Sequence, residues 1–123
     1  MRQTFNKMER LKRKKRIDQL FAEGQSLTVF PLKLVFLQSE HDSPFLYQVG
    51  VSASKRNFKS AVQRNRIKRL MRESYRKNKE ILYGSGHTKK YIFMFIYQGS
   101  KELSYQNVED KMKELLMKFL KNQ

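Results

Sequence analysis

The sequence predicts an α+β fold, a two-layer α/β sandwich, and three observations carry that expectation. Apolar residues recur at helical spacing near 13–23, across 60–78 and again beyond Ser104. Strand-type segments fall at 32–38, 47–53 and 91–97. A helix lies between the last two strands, the kind of crossover that joins parallel neighbours. At 123 residues the chain has room for one domain around one modest core. Residues 1–123 are therefore taken as a single domain, with 1–12 a basic N-terminal extension whose order the sequence leaves open.

Each element has its own signal. Ile17, Leu20 and Phe21 make the narrow apolar face of a first helix at about 13–23, and Gly24 stands where a C-terminal cap is expected. Residues 27–38 read as extended, Pro31 dividing a short edge piece from a strand at 32–38 on which Leu32, Leu34 and Phe36 share one face. Ser39-Glu-His-Asp-Ser-Pro44 has the turn residues of a hairpin connection, leading into an alternating strand at 47–53. Asn57 to Ser60 end that strand, a helix follows at about 60–78, and Gly84 and Gly86 mark the next loop. Tyr91-Ile-Phe-Met-Phe-Ile-Tyr97 is apolar throughout and reads as a central strand buried on both faces. Val108, Met112, Leu115, Leu116 and Phe119 line one side of a last helix, with Ser104 or Asn107 as its N-cap.

Charge is the other informative property. Twenty-seven Lys and Arg against eleven Asp and Glu leave a net +16 and a pI near 10.3, the balance of a chain with a polyanionic partner, nucleic acid first among them. The excess is localised. Arg2, Lys7, Arg10, Lys12, Arg13, Lys14, Lys15 and Arg16 face only Glu9 within residues 1–16; Lys55, Arg56, Lys59, Arg64, Arg66, Lys68, Arg69, Arg72, Arg76, Lys77 and Lys79 face only Glu73 within 55–79. These two segments account for the whole net charge.

Several functions lack their residues. Without cysteine there is neither a disulfide framework nor a thiolate metal site, which fits a reducing, cytoplasmic setting. The N-terminus has no apolar signal core and no apolar run is long enough to cross a bilayer, so neither export nor a membrane partner is expected. His41 and His87 fall in predicted loops, away from paired carboxylates, and are expected to face solvent; no metal site and no catalytic side chain is expected. Glu40, Asp42, Glu109 and Asp110 are acids that in principle bind Mg²⁺, but the last two are explained by stabilisation of a helix N-terminus.

On a helical wheel, Ile67, Leu70, Met71, Ser74 and Tyr75 share the core-facing side of the 60–78 helix. Asn65, Lys68, Arg69, Arg72 and Arg76 fall within about a third of the circumference on the other side, flanked by Arg64 and Arg66. Solvated helix faces gain from mixed signs, whereas like charges three or four residues apart repel. A bound polyanion offsets that repulsion, and guanidinium forks match phosphate geometry. Two functions remain open on these grounds: a purely structural RNA-binding protein such as a ribosomal one, and a binder of acidic membranes through residues 1–24. The last makes no use of the 55–79 cluster.

The stretch Ser54-Lys-Arg-Asn-Phe-Lys-Ser-Ala-Val-Gln-Arg-Asn-Arg-Ile-Lys-Arg-Leu-Met-Arg-Glu-Ser-Tyr75, centred on Arg64-Asn65-Arg66, resembles the signature of the bacterial ribonuclease P protein subunit. Arg10-Leu-Lys, Ile17-Asp-Gln-Leu-Phe21 with Gly24, and Val49-Gly-Val-Ser extend the resemblance over nearly the whole chain. It implies the order αβββαβα, a fold like domain 2 of ribosomal protein S5, and a left-handed β-α-β crossover against the usual hand. It implies a component of an endoribonuclease whose catalytic RNA uses Mg²⁺, bound mainly by that RNA, to remove the 5′ leader of precursor tRNA. Its partners would be ribonuclease P RNA and precursor tRNA, with no obligate protein partner. By the same resemblance, Lys55, Arg56, Arg64, Asn65, Arg66, Lys68, Arg69, Arg72 and Arg76 would contact RNA. Ile17, Phe21, Leu34 and Phe36 would line a cleft for the single-stranded leader, where flat side chains stack on unpaired bases. Ile17 stands where the family commonly has an aromatic.

Overall fold

The computed structural model describes residue 5 and residues 7–123; Arg2, one of the first basic cluster, lies outside the described residues. After a single 3-10 turn at Lys7–Glu9 come α1 (Lys14–Glu23), β1 (Gln25–Val29), β2 (Leu32–Gln38), β3 (Tyr47–Ala53), α2 (Ala61–Asn78), a one-turn α3 (Glu80–Tyr83), β4 (Tyr91–Tyr97) and α4 (Tyr105–Lys121). The helices begin and end where their caps stand. The Ser60 and Ser104 hydroxyls accept from the Gln63 and Asn107 amides at the starts of α2 and α4. The Gly24 amide closes α1 on the Leu20 carbonyl, and a Cβ at Gly24 would collide with that carbonyl.

The four strands lie in the order β1-β2-β4-β3. β4 pairs antiparallel with β2, Phe93 opposite Phe36, and parallel with β3, Phe93 level with Val49. The parallel pairing across α2 follows the crossover expected from the sequence. The Ser39 to Pro44 segment does not: β2 and β3 are not a hairpin, because β4 occupies the position between them. A seven-residue apolar strand is buried only if it has a neighbour on each edge and cover on each face, and β4 obtains both edges by separating β2 from β3. The true hairpin is β1–β2, which sets Leu27 opposite Leu34. Arg10 bridges to Val49 outside β3, with the Leu11 amide 2.9 Å from the Val49 carbonyl, so the N-terminal lead-in prolongs the sheet at that edge.

One face of the sheet presents Leu32, Leu34 and Phe36, Val49, and Phe93, Phe95 and Tyr97 to α2 and α4, where Ile67, Met71, Tyr75, Met112, Leu115, Leu116 and Phe119 close the main core. The other face presents Val35, Ile92 and Met94 to Leu11 and to Leu20 of α1. The sandwich expected to have two layers therefore has a partial third, and α1 supplies it.

His41, expected in solvent, is only 2% exposed. Its Nε2 lies 3.1 Å from the Leu46 carbonyl and 3.2 Å from the Tyr91 carbonyl. Both partners only accept, so Nε2 carries the proton and donates. Burial holds the imidazole below the ordinary 6.5, the two carbonyl bonds opposing it and the positive charges of Lys90 and Arg16 adding to it. His87 is half-buried in its loop. A histidine kept neutral in the native state contributes stability that is present above its unfolded pKa and is lost as the pH falls from there through the lower folded value. Two-dimensional NMR titration of the His41 ring is expected to give a midpoint below 6.5; a midpoint at or above that value would contradict the burial argument.

Candidate nucleic-acid interface

Along α2 the core-facing side is as the wheel places it. Ile67, Met71, Ser74 and Tyr75 are buried and Leu70 is half-buried, with Asn78 joining them one turn later. On the opposite side Asn65, Arg66, Arg69 and Arg72 are exposed, while Arg64, Lys68 and Arg76 are partly covered. Lys55 and Arg56 are exposed in the turn that leaves β3.

These cations are not equivalent. The Arg64 guanidinium donates to the Phe58 and Lys59 carbonyls at 2.8 and 2.9 Å, closing the loop that precedes its own helix. Arg66 Nε sits 2.9 Å from both carboxylate oxygens of Glu102, a residue 36 positions away that nothing in the sequence connects to it. Arg76 donates to Glu73 at 2.8 Å, a bond that lowers the Glu73 pKa and raises that of Arg76. Among the described residues, Lys55, Arg56, Lys68, Arg69 and Arg72 make no ion pair at all. They, with Asn65, are the groups a phosphate meets without displacing a carboxylate.

The two basic segments, far apart in sequence, meet in space. Partial burial and then the neighbouring Arg10 hold the Arg72 pKa below the usual arginine value, placing a cation of the lead-in beside a cation of α2. The anchor is Glu9. The sequence shows it as the lone acid in a basic run, yet it is buried with its carboxylate 2.7 and 2.9 Å from the Lys79 ammonium at the end of α2. The pair presses the lead-in against the helix, and Arg10, one residue on, is carried to Arg72, two turns before Lys79. Beyond Arg10 a groove opens, lined by Met8, Arg10, Lys12, Arg13, Ser43 and Gln48. Asp42 borders it and pairs with Arg13 at 3.2 Å and Arg16 at 3.5 Å.

The four residues expected to line one cleft do not come together. Phe21 is 53% exposed on α1 and Ile17 is half-buried against the Leu11, Leu20 and Met94 cluster. Leu34 and Phe36 point through the sheet to its other side, Leu34 wholly buried and Phe36 with its ring 5.0 Å from that of Phe119 in α4. β2 is apolar on both faces, so alternation separates its two sets of residues without saying which set lies under α1. The surface beside α1 is instead made by Lys33, Val35 and Leu37 of β2, Ile96 of β4, and Gln48, Gly50 and Ser52 of β3, each on the register of the strand next to it. Gly50 keeps this floor low, since a Cβ there would stand 3.0 Å from the Met94 methyl.

Comparison with known proteins is decisive about ancestry. The family model described as Ribonuclease P matches residues 5–120. The chain belongs to the ribonuclease P protein family. A ribonuclease P protein component from Porphyromonas gingivalis is 44% identical over 79 residues, 63% of this chain but 57% of the relative's length. One from Borreliella afzelii is 32% identical over 108 residues, covering 87% of this chain and 92% of the relative. The fold is also that of the ribonuclease P proteins of Thermotoga maritima (TM-score 0.71, 24% identity, 89% and 96% of the two chains) and Staphylococcus aureus (TM-score 0.69, 20% identity, 90% and 94%).

Two substitutions check these placements. Leu34→Ala is expected to cost about 2–5 kcal/mol in denaturant unfolding, as for a buried leucine; a neutral result would return Leu34 to an open cleft. Lys79→Met takes the ammonium away from the buried Glu9 carboxylate and is expected to cost about 3–5 kcal/mol, with Glu9→Gln added on top restoring part of it. Additive losses in the double variant would show that the two residues do not act as a pair.

Proposed function

We propose that this chain is the protein component of ribonuclease P. In this proposal it binds the catalytic RNA and the 5′ leader of precursor tRNA, and so assists Mg²⁺-dependent endonucleolytic removal of the leader to give the mature 5′ end. The observation that carries it is the Glu9–Lys79 pair, 2.7 Å apart, which holds the basic lead-in against α2, whose Lys68, Arg69 and Arg72 make no ion pair among the described residues. Family membership supports a role in tRNA processing. Lys55, Arg56, Asn65, Lys68, Arg69 and Arg72 hold phosphates of the RNA, while Arg64 mainly shapes the loop before α2 and Arg66 reaches RNA only by leaving Glu102. From the family we also take, as part of the proposal, the left-handed sense of the β3-α2-β4 crossover and the kinship with domain 2 of ribosomal protein S5.

The leader is assigned to the α1 side of the sheet. Phe21 offers an exposed ring for stacking on an unpaired base, and the floor of Val35, Ile96, Gly50 and Ser52 replaces Leu34 and Phe36. Lys33 at one end of this floor and Arg10, Lys12 and Arg13 at the other stand ready for the leader's phosphates. No group of three or more His, Cys, Asp or Glu that could hold a metal ion occurs among the described residues, and the proposal assigns no Mg²⁺ ligand and no proton transfer to this chain. No helix of the described chain is long and apolar enough to cross a membrane.

Reconstitution tests this directly. Added to a bacterial ribonuclease P RNA at low Mg²⁺, the protein is expected to raise cleavage of precursor tRNA at its 5′ junction, and a structural RNA-binding protein would not. Phe21→Ala should weaken binding of leader-bearing substrate while leaving mature tRNA nearly unchanged, stacking being worth about 1–3 kcal/mol per base; equal loss for both would remove Phe21 from the leader site. The α2 contacts are read in salt dependence. Arg69→Ala is expected to lower the slope of log affinity against log salt by about 1. Glu102→Gln, which frees Arg66, is expected to steepen it, and an unchanged slope in both would exclude this face of α2.

A further inference from the structure

Phe30 belongs to neither cluster of the hydrophobic core among the described residues. It caps the β1–β2 turn, is 67% exposed, and opens a shallow apolar groove with Pro31, Gly99 and Leu103. Lys101 and Lys111 stand on the rim, and neither makes an ion pair among the described residues. β1 runs from the end of α1 to this turn, so the groove lies about 17 Å from the α1 end of that strand, at some 3.4 Å per residue.

The groove is built rather than incidental. Gly99 is buried against Pro31, and a Cβ there would sit 3.0 Å from the proline Cβ. The Tyr97 hydroxyl donates to the Lys101 carbonyl at 2.6 Å and accepts from the Leu103 amide at 3.1 Å, fixing the loop that forms one wall. That same loop is tied to the basic surface at two points. The Asn57 side-chain amide donates to the Gln98 and Gly99 carbonyls at 3.1 and 3.4 Å, and Arg66 holds Glu102. The turn bearing Lys55 and Arg56 is thus joined through Asn57 to the loop that walls the groove.

We propose that this groove receives an unpaired nucleotide of the ribonuclease P RNA, its base stacked on Phe30 and the flanking phosphates on Lys101 and Lys111. An exposed ring in a groove rimmed by cations is the pattern that binds single-stranded nucleic acid, one group for the base and the others for the backbone. The RNA component is the source, because Asn57 and Arg66 tie the groove's wall to the turn and helix assigned to it, and Lys111 stands on α4, on the face of the sheet away from α1. This inference rests on the proposed function, and the experiment separates the two.

Affinity for a bacterial ribonuclease P RNA, by filter binding, is compared for the wild-type chain and for Phe30→Ala, Phe30→Tyr, Phe30→Leu and the Lys101→Gln/Lys111→Gln pair. Phe30→Ala is expected to weaken binding on the order of 10-fold, with Tyr restoring it and Leu not, since stacking needs a flat ring. The lysine pair should lower the salt slope by about 2. The preference of the reconstituted enzyme for leader-bearing over leaderless substrate should be unchanged in all four variants. If the wild type binds while Phe30→Ala binds equally well, the groove is not a contact and this inference fails with the function intact. Rescue by Leu, loss of leader preference, or a change in the sedimentation of the free protein would each overturn it in favour of plain apolar contact, a substrate site or self-association. Failure of the wild type to bind or stimulate the RNA removes both.

Discussion

Burial of β4 on both faces and both edges is the constraint on which the rest of this molecule depends. Its seven apolar residues require β2 and β3 as neighbours, α2 and α4 on one side and α1 on the other. Once β4 separates β2 from β3, the connection at 39–46 must cross the end of the sheet, which is where His41 becomes buried between the Leu46 and Tyr91 carbonyls. The same arrangement sets α2 against the β3 side of the sheet, with its apolar stripe turned inward and its cations facing out.

A second constraint is electrostatic. The cationic side of α2 is unfavourable in isolation, because like charges sit within one turn of each other. Among the described residues, carboxylates relieve this at the margins, Glu102 on Arg66 and Glu73 on Arg76. The Glu9–Lys79 pair adds to the imbalance by bringing Arg10 beside Arg72. Two charges withdrawn from water are costly unless they are closely paired, so the geometry of that pair is tightly specified. Its placement of the lead-in is what makes one surface of two sequence segments.

The comparison of sheet faces shows where periodicity stops. Leu32, Leu34 and Phe36 share a face of β2, as alternation requires, and Val35 and Leu37 share the other, but both sets are apolar because helices cover both sides. The resemblance to ribonuclease P proteins implied a cleft including Leu34 and Phe36, whereas the fold packs these two into the main core with α2 and α4 and leaves Phe21 exposed on α1, on the side of the opposite set. Ile17, named for that cleft, serves mainly as packing for α1.

What the sequence by itself determined is whatever depends on neighbours along the chain. The limits of β4 and α2, the cap at Gly24 and the choice of Ser104 or Asn107 at the start of α4, the parallel pairing across α2, and the division of α2 into a core stripe and a cationic face follow from periods of 2 and 3.6 residues and from local hydrogen bonding. The tertiary structure alone decided what depends on distant partners. Strand order, the face of the sheet given to α1, the burial of His41 and Glu9, the tying of Arg66 to Glu102 and the meeting of Arg10 with Arg72 all involve pairs that no local pattern connects. A charged side chain reads the same in sequence whether it is held by a carboxylate, buried in a pair or free for a ligand. Only the position of its partner in space separates these cases, and that position is set by how the sheet is covered.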